Sequence, residues 1–359
     1  MFNKMLLNMV IQDPPCHAAI EILRAKMYLT SEWLAYEQQL GARPKISGTW
    51  QEIRTAYNEL CEVIGEKLPP PDLSLLTQDI KISDHVSVRI YTPMQTYPRK
   101  PLPLGVYCHG GGFIAGSVDA SFEDSCIWPP SNAVYSYSDS CRYISLNTPC
   151  ILVSVDFRLA PEYPVPAQIQ DVFEGFQWAY DNCEGLGGDK SKCFLIGASV
   201  GGGLALAAAH RLIESGMRSS LVGVVALAPI TLHPEHVPDD FKDDFIAYSE
   251  NADGPLIDKA AMYNFNAQNG CDQMKDDPYV FPALHPGKAQ LPPVYISTCG
   301  ADPLRDDGTV VYLALQKLGV KSSLRNYQGL PHFFWIFPEI KEGDNFRADT
   351  VNGIHFVLG

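Results

Sequence analysis

The sequence predicts an α/β fold in which helices flank a mainly parallel central sheet. From about residue 80 onwards, short β-rich runs alternate with segments whose apolar residues have helical spacing. Most of the β-rich runs are continuously apolar, which is typical of strands buried on both faces of a parallel sheet. The chain has 359 residues, of which 46% are hydrophobic, so it can bury a large core.

The alternation of strands and helices favours a series of βαβ units. The β-rich runs predict strands over 86–93, 103–110, 150–157, 192–199, 221–229, 292–298 and, more weakly, 322–329. The intervening segments with helical spacing predict helices over 167–183, 200–216 and 308–319.

Two regions fall outside this alternation and are expected to cover the sheet. Residues 1–80 are predicted to form N-terminal cap helices; the clearest helix starts near Ser47, as N-cap, and ends before the prolines at 69–71. Residues 230–290 contain no clear strand and are expected to form a lid insertion. The main domain is therefore expected to span 81–359.

An unusual insert is predicted at 127–141. Asp-Ser-Cys occurs twice, at 124–126 and 139–141, and removing residues 127–141 joins SFEDSC to RYIS as one plausible helix. A tolerated surface loop is one interpretation. A retained intron or misassigned splice junction is the other, and sequencing the transcript distinguishes them.

Charge and cysteine usage exclude some classes of protein. The net charge of −14 disfavours a nucleic-acid partner, because phosphate binding requires clustered Lys and Arg. The ten cysteines show no CxxC spacing, and several lie at or beside apolar runs, so free core thiols are expected. The sequence shows neither a convincing secretory signal nor a membrane span, so we expect a cytoplasmic protein.

A G-x-S-x-G pattern centred on Ser199 follows an apolar run and opens a helix-like segment. This is the strand, sharp turn and helix of a nucleophile elbow, in which glycines allow a close approach of helix and strand. A phosphate-binding turn is less consistent with these residues, since neither G-x-G-x-x-G nor a Lys-Ser/Thr pair is present. A packing turn with no chemical role remains an alternative.

A serine nucleophile requires a base and an acid that orients the base. Asp302 follows the strand predicted at 292–298, and His332 follows the last predicted strand. The order Ser199, Asp302, His332 matches the order nucleophile, acid, base. Asp306 and Asp307 are expected to cap the next helix or lie on its solvated face. His285 and His355 are expected to be structural or exposed.

Glycines that follow the strand predicted at 103–110 are candidates for an oxyanion hole. In His109-Gly110-Gly111-Gly112, successive glycines expose N–H groups with no side chains in the way. We expect the N–H groups of Gly110, Gly111 and Val200 to be the donors. A flexible glycine turn is the alternative.

Together these residues resemble the hormone-sensitive-lipase-like family of α/β hydrolases, which includes fungal and microbial esterases. The resemblance covers about residues 80–335, through HGGGF (109–113), DFRLAPEYPVPAQIQD (156–171), GASVGGG (197–203), DPLRDDG (302–308) and GLPHFF (329–334). It implies an α/β-hydrolase fold with a helical cap, a triad of Ser199, Asp302 and His332, and an oxyanion hole at residues 109–111. Ala198 and Val200 depart from the usual family residues, and the branched Val200 is expected to narrow the pocket.

The resemblance implies a serine esterase that forms an acyl-enzyme and needs neither cofactor nor metal. Its expected substrate is a small-molecule ester of short to medium acyl length or an intermediate of secondary metabolism, and a homodimer is the assembly considered. One alternative is a non-catalytic small-molecule receptor, as in the related plant gibberellin receptors, but these lack the catalytic histidine. The other alternative is an acyl transferase.

Overall fold

The computed structural model describes residues 28–68, 70, 72–94, 100–118 and 136–359. Its centre is a sheet of eight strands in the order β1-β2-β4-β3-β5-β6-β7-β8. β1 and β2 pair antiparallel, as do β2 and β4, and all other neighbours pair parallel. The strands are Leu75–Lys81 (β1), Ser87–Pro93 (β2), Leu102–Cys108 (β3), Ile151–Asp156 (β4), Gly188–Ala198 (β5), Gly223–Leu227 (β6), Val294–Cys299 (β7) and Ser322–Tyr327 (β8).

The strands predicted from continuous apolar runs are confirmed. β6 and β7 are buried at every position, and β3 and β4 at nearly every position, as expected for strands covered on both faces. β1 was not predicted, since residues 1–80 were expected to form cap helices. This edge strand is mostly exposed or half-buried and contains four polar or charged residues, Thr77, Gln78, Asp79 and Lys81, so it has no long apolar run.

Helices flank the sheet. The segments predicted at 167–183, 200–216 and 308–319 are helical, with ends shifted by a few residues, whereas the C-terminal helix was not predicted. The helices are Ser31–Leu40 (α1), Trp50–Gly65 (α2), Ser136–Asn147 (α3), Ala167–Asn182 (α4), Val200–Glu214 (α5), Ala247–Glu250 (α6), Lys259–Asn269 (α7), Arg305–Lys317 (α8) and Glu342–Leu358 (α9).

The helix α2 begins two residues later than predicted. Thr49, not Ser47, is its N-cap: the Thr49 hydroxyl accepts from the N–H of Glu52, and the Glu52 carboxylate accepts from the N–H of Thr49. This reciprocal pair satisfies two N–H groups at the start of the helix, and Gly48, with φ 113°, is not helical, so the helix cannot begin directly after Ser47.

The N-terminal helices and the region 230–290 are in contact. Lys45 and Leu256 form an isolated parallel bridge, and the Lys45 ammonium lies 2.8 Å from the Asp258 carboxylate, the N-cap of α7. The division into a cap of residues 1–80 and a main domain of 81–359 stays a prediction.

Residues 127–135 of the predicted insert lie outside the described residues. The same holds for residues 1–27 of the predicted N-terminal cap. The last residues of the insert belong to α3, where Cys141 is fully buried and the Tyr91 hydroxyl donates to Ser138 at 3.1 Å. The second Asp-Ser-Cys therefore forms part of a packed helix. Within the described ranges, the eight cysteines are buried and free, and no helix is long and apolar enough to cross a bilayer.

Candidate active site

Ser199 lies in a strained turn between β5 and α5. Its backbone has φ 59° and ψ −125°, and its N–H donates to the Leu227 carbonyl at 2.8 Å. A Cβ on Gly197 would lie 2.1 Å from the Gly201 carbonyl oxygen, and one on Gly201 would lie 2.0 Å from the Cys108 carbonyl oxygen. The two glycines of the motif therefore permit the close approach that the sequence analysis predicted. A serine with a strained, positive φ on a sharp turn from strand to helix has the geometry of a nucleophile elbow.

Asp302 and His332 form a buried pair. Asp302 follows β7 and His332 follows β8, and the loops that carry them are joined because the Ala301 N–H donates to the Leu330 carbonyl at 3.0 Å. His332 Nδ1 lies 2.6 Å from Asp302 Oδ2, and the side chains are 1% and 0% exposed. Asp302 Oδ1 accepts from the Leu304 N–H at 2.9 Å, so both carboxylate oxygens have a donor.

The pairing determines which nitrogen of His332 faces the cavity. When Nδ1 carries the proton and donates to Asp302, Nε2 of the neutral imidazole is an acceptor. Nε2 is buried and has no hydrogen-bond partner within the part of the chain that the structure describes. His332 and Ser199 line the same cavity, with no direct hydrogen bond between them among the described contacts.

The glycine loop after β3 lies at the same cavity. Gly111 and Gly112 have φ of 111° and 65° and line the cavity, whereas Gly110 is buried beside it. Val200 is the first residue of α5, where N–H groups lack intrahelical partners. These N–H groups can donate to a negatively charged oxygen beside Ser199.

His109 supports this loop. It is fully buried, its ring stacks on Phe157 with centroids 4.0 Å apart, and its Nδ1 donates to the Gly110 carbonyl at 2.7 Å. Burial lowers the pKa of His109 to about 4, so its ring is neutral near pH 7. A Cβ on Gly116 would lie 2.6 Å from His109 Nδ1, which explains the small residue there.

Three further contacts brace the glycine loop. The Ala160 N–H donates to the Phe113 carbonyl at 2.8 Å, Arg54 Nε donates to the Ile114 carbonyl at 2.6 Å, and Asn269 Nδ2 donates to the Gly112 carbonyl at 3.1 Å. The first comes from the segment 156–171, one of the stretches that carry the family resemblance, whereas nothing in the sequence pattern indicated Arg54 or Asn269.

Asp306 and Asp307 occupy the first turn of α8 but are not solvated, so that part of the prediction is wrong. Both are buried, and they accept hydrogen bonds from other segments. Asp306 Oδ2 accepts from the Ala247 N–H at 2.6 Å, and Asp307 Oδ1 accepts from the Thr231 N–H at 2.7 Å. Burial raises the pKa of Asp307 well above its usual range. These carboxyl groups anchor the region 230–290 to α8.

The cavity is largely apolar, with an empty volume of about 540 Å³ including the part open to solvent. The expectation that Val200 narrows it is wrong: Val200 is buried and is not among its lining residues in the described chain, because its side chain packs into the core. The sequence pattern did not identify the residues that form the walls. The N-terminal segment contributes Ile46, Ile53 and Tyr57, and the region 230–290 contributes Ile257, Met262, Phe265, Asn266, Asn269 and Cys271.

Other histidines lie outside this cavity. His285 is buried and accepts from the Gly287 N–H at 3.0 Å, while His355 is exposed in α9, as expected. Among the described residues, no group of three or more His, Cys, Asp or Glu side chains is placed to hold a metal ion.

Known proteins are similar to this chain in sequence and in fold. A family model described as alpha/beta hydrolase fold matches residues 105–336. Two fungal versiconal hemiacetal acetate esterases are similar: that of Dothistroma septosporum is 33% identical over 91% of this chain and 94% of its own, and that of Aspergillus parasiticus is 35% identical over 88% and 93%.

A solved structure has a similar fold over most of its length. The crystal structure of vibralactone cyclase superposes with a TM-score of 0.80 and 27% identity, over 92% of this chain and 95% of that one. The predicted fold is thereby confirmed, and the esterase relatives support carboxylic ester hydrolysis. The chain belongs to the α/β-hydrolase-fold family, within its hormone-sensitive-lipase-like branch.

Proposed function

We propose that the protein is a serine esterase that hydrolyses small carboxylic esters through an acyl-enzyme, with Ser199 as nucleophile, His332 as base and Asp302 as acid. One observation carries the proposal: His332 is hydrogen-bonded to buried Asp302 and shares a cavity with Ser199. The esterase relatives add support at the level of the reaction class.

In the acylation half-reaction, Ser199 Oγ attacks the ester carbonyl carbon and its proton passes to His332 Nε2. Asp302 Oδ2 holds the Nδ1 proton and stabilises the imidazolium that forms. The carbonyl oxygen becomes negatively charged and accepts from the N–H groups of Gly110, Gly111 and Val200. Collapse of this intermediate breaks the bond to the alcohol, which leaves with the proton from Nε2.

In the deacylation half-reaction, water takes the place of the alcohol. Nε2 removes a proton from the water as its oxygen attacks the acyl carbon, and the same donors stabilise the second intermediate. The bond between acyl carbon and Ser199 Oγ then breaks, the proton returns to Oγ, and the carboxylic acid leaves. All proton transfers use groups of this chain and water.

The cavity supports a compact substrate with an apolar body. Its walls are mainly aliphatic and aromatic, which favours a short to medium acyl group or a small alcohol over a polar polymer. The relatives named for versiconal hemiacetal acetate suggest an ester of secondary metabolism as the physiological class. The Asp302 and His332 pair favours turnover over ligand binding alone.

The test is hydrolysis of p-nitrophenyl acetate, butyrate and longer esters by the parent protein and by Ser199→Ala. We expect Ser199→Ala to lower kcat at least about 10³-fold, since the attacking atom is lost. Ser191→Ala is the matched control, because Ser191 is exposed near the opposite end of β5 and bonds only to Asp189 among the described contacts. Absence of turnover in the parent, or retained turnover in Ser199→Ala, contradicts the proposal.

A further inference from the structure

Asn266 is a polar residue in an apolar part of the cavity. It lies in α7, is 3% exposed and lines the cavity beside Ser199 and His332. Within the described ranges of the chain, its side-chain amide makes no hydrogen bond to any other residue. Neither polar atom of this amide is among the fully buried atoms that lack a partner, so both are open to the cavity, where a polar group among apolar side chains can bind a ligand.

The neighbouring amides of the same helix behave differently. Asn264 Nδ2 donates to the Gly48 carbonyl at 2.7 Å, Gln268 Nε2 donates to the same oxygen at 3.0 Å, and Asn269 Nδ2 donates to the Gly112 carbonyl at 3.1 Å. Asn266 is the one side-chain amide of α7 that faces the cavity without such a bond. Its two donors and its acceptor are therefore available to a molecule in the cavity.

Its surroundings make such a contact selective. Met262 and Phe265 on the same helix, with Ile53 and Ile257 from the adjoining segments, form apolar walls of the cavity. A hydrogen bond formed among such groups, away from water, discriminates strongly between a substrate that can complete it and one that cannot.

The position of Asn266 indicates where the substrate carries its matching group. Asn266 precedes Asn269 by three residues, so the two side chains are neighbours on one face of α7. Asn269 holds the Gly112 carbonyl, and Gly112 is so close to Phe265 that a Cβ would lie 2.5 Å from that ring. This face of α7 therefore lies against the glycine loop, and a group that reaches Asn266 is near the ester bond.

We propose that Asn266 is a specificity-determining residue that hydrogen-bonds a second oxygen of the substrate, a hydroxyl or carbonyl group close to the ester. The substrate class is then an ester with an apolar body and one further oxygen beside the reacting carbonyl. This inference deepens the proposed function and rests on it for the position of the ester.

The experiment compares matched esters that differ only in this oxygen. On the acyl side the pair is p-nitrophenyl butyrate and p-nitrophenyl 3-hydroxybutyrate; on the alcohol side it is phenyl acetate and 3-hydroxyphenyl acetate. For each pair, the ratio of kcat/KM is measured for the parent and for Asn266→Leu, which keeps a similar volume but has no polar group. Asn264→Leu is the matched control, since Asn264 lies on the same helix but does not line the cavity.

We expect Asn266→Leu to lower the ratio of oxygenated to plain ester about tenfold relative to the parent for at least one pair, with Asn264→Leu retaining the parent ratio. Comparing ratios between variants cancels the intrinsic reactivity of each ester. An unchanged ratio for both pairs in Asn266→Leu overturns the inference. It would mean that Asn266 contacts only a bound water and not the substrate.

A binding measurement separates this inference from the proposed chemistry. The same pairs are titrated calorimetrically into Ser199→Ala and into Ser199→Ala combined with Asn266→Leu. A preference for the oxygenated ester that Asn266→Leu removes supports the inference even where the parent shows no turnover, which would contradict only the esterase proposal. Turnover without any such preference contradicts only the inference.

Discussion

Replacing Asp302 by asparagine is expected to disable the base while leaving the cavity intact. In the structure both carboxylate oxygens of Asp302 accept: Oδ2 from His332 Nδ1 at 2.6 Å and Oδ1 from the Leu304 N–H at 2.9 Å. Asparagine offers one acceptor oxygen to these two donors. If its oxygen faces Leu304, its NH₂ group faces His332 Nδ1 and favours the tautomer with hydrogen on Nε2, which cannot take the proton of Ser199.

The expected losses of activity and of stability follow from this conflict between one acceptor oxygen and two donors. In the other orientation the oxygen still accepts from His332, but the negative charge that stabilises the imidazolium is lost and the NH₂ group opposes the Leu304 N–H. Loss of the acid in a serine triad lowers kcat about 10⁴-fold, equivalent to about 5 kcal/mol of transition-state stabilisation. The opposed donors are expected to lower the free energy of unfolding by about 1–3 kcal/mol.

The assay is steady-state hydrolysis of p-nitrophenyl butyrate, combined with urea denaturation of each variant. KM is expected to stay within about threefold of the parent, since Asp302 is not among the residues that line the cavity. Asp306→Asn is the matched control: Asp306 is also buried, but it pairs with Arg305 and accepts from the N–H groups of Ile246 and Ala247.

Asp306→Asn should therefore lose stability while its kcat remains within about tenfold of the parent. If Asp306→Asn loses far more activity than Asp302→Asn at equal folded fraction, the acid has been assigned to the wrong carboxylate and the reasoning is refuted.

Two further predictions concern stability. Gly201→Ala places a Cβ 2.0 Å from the Cys108 carbonyl oxygen and should lower the free energy of unfolding by about 3 kcal/mol or more in urea denaturation, whereas Gly216→Ala, with φ 82° and no atom within 4 Å of its Cβ, should cost about 1–2 kcal/mol. Burial and the neighbouring His285 lower the pKa of His210 to about 3, so the unfolded chain binds a proton below about pH 6.5 that the folded chain does not. Stability should fall as the pH falls through this window, and His210→Phe should reduce that slope by about 1.4 kcal/mol per pH unit between pH 6 and 4.

The outcomes that contradict these two predictions are distinct. Equal losses for Gly201→Ala and Gly216→Ala would show that the helix can move away from β3, so that the close approach is not required. An identical pH slope in His210→Phe and the parent would show that His210 takes up its proton in the folded state, contrary to its burial against His285.

The sequence predicted the parts of the fold that depend on long apolar runs and missed those that do not. The central strands were identified because continuous burial leaves a one-dimensional signature, as in β6 and β7. β1 and α9 lack that signature: β1 is an exposed edge strand, and α9 buries only part of its surface and carries many polar residues. β1 is placed by its antiparallel pairing with the adjacent β2, and α9 by packing on β6 and β7, and neither contact leaves a periodic apolar pattern in the element's own sequence.

The candidate site shows the same division. Ser199, Asp302 and His332 could be proposed from sequence because each follows a strand, and parallel strands bring their carboxyl ends to one edge of the sheet. The roles of Asp306 and Asp307 could not be derived, because their partners at Ala247 and Thr231 lie 59 and 76 positions away. Asn266 gave no sequence signal, since only its missing hydrogen bond distinguishes it from the other amides of α7.

The central claim is that Ser199 is the nucleophile, and covalent labelling tests it most directly. The parent protein and Ser199→Ala are treated with a fluorophosphonate, and intact-mass spectrometry followed by peptide mapping locates the adduct. We predict one adduct per chain on Ser199, loss of hydrolysis in step with labelling, and no adduct on Ser199→Ala. Labelling of Ser199→Ala to the same extent, or complete labelling at another residue with Ser199 unmodified, would contradict the account.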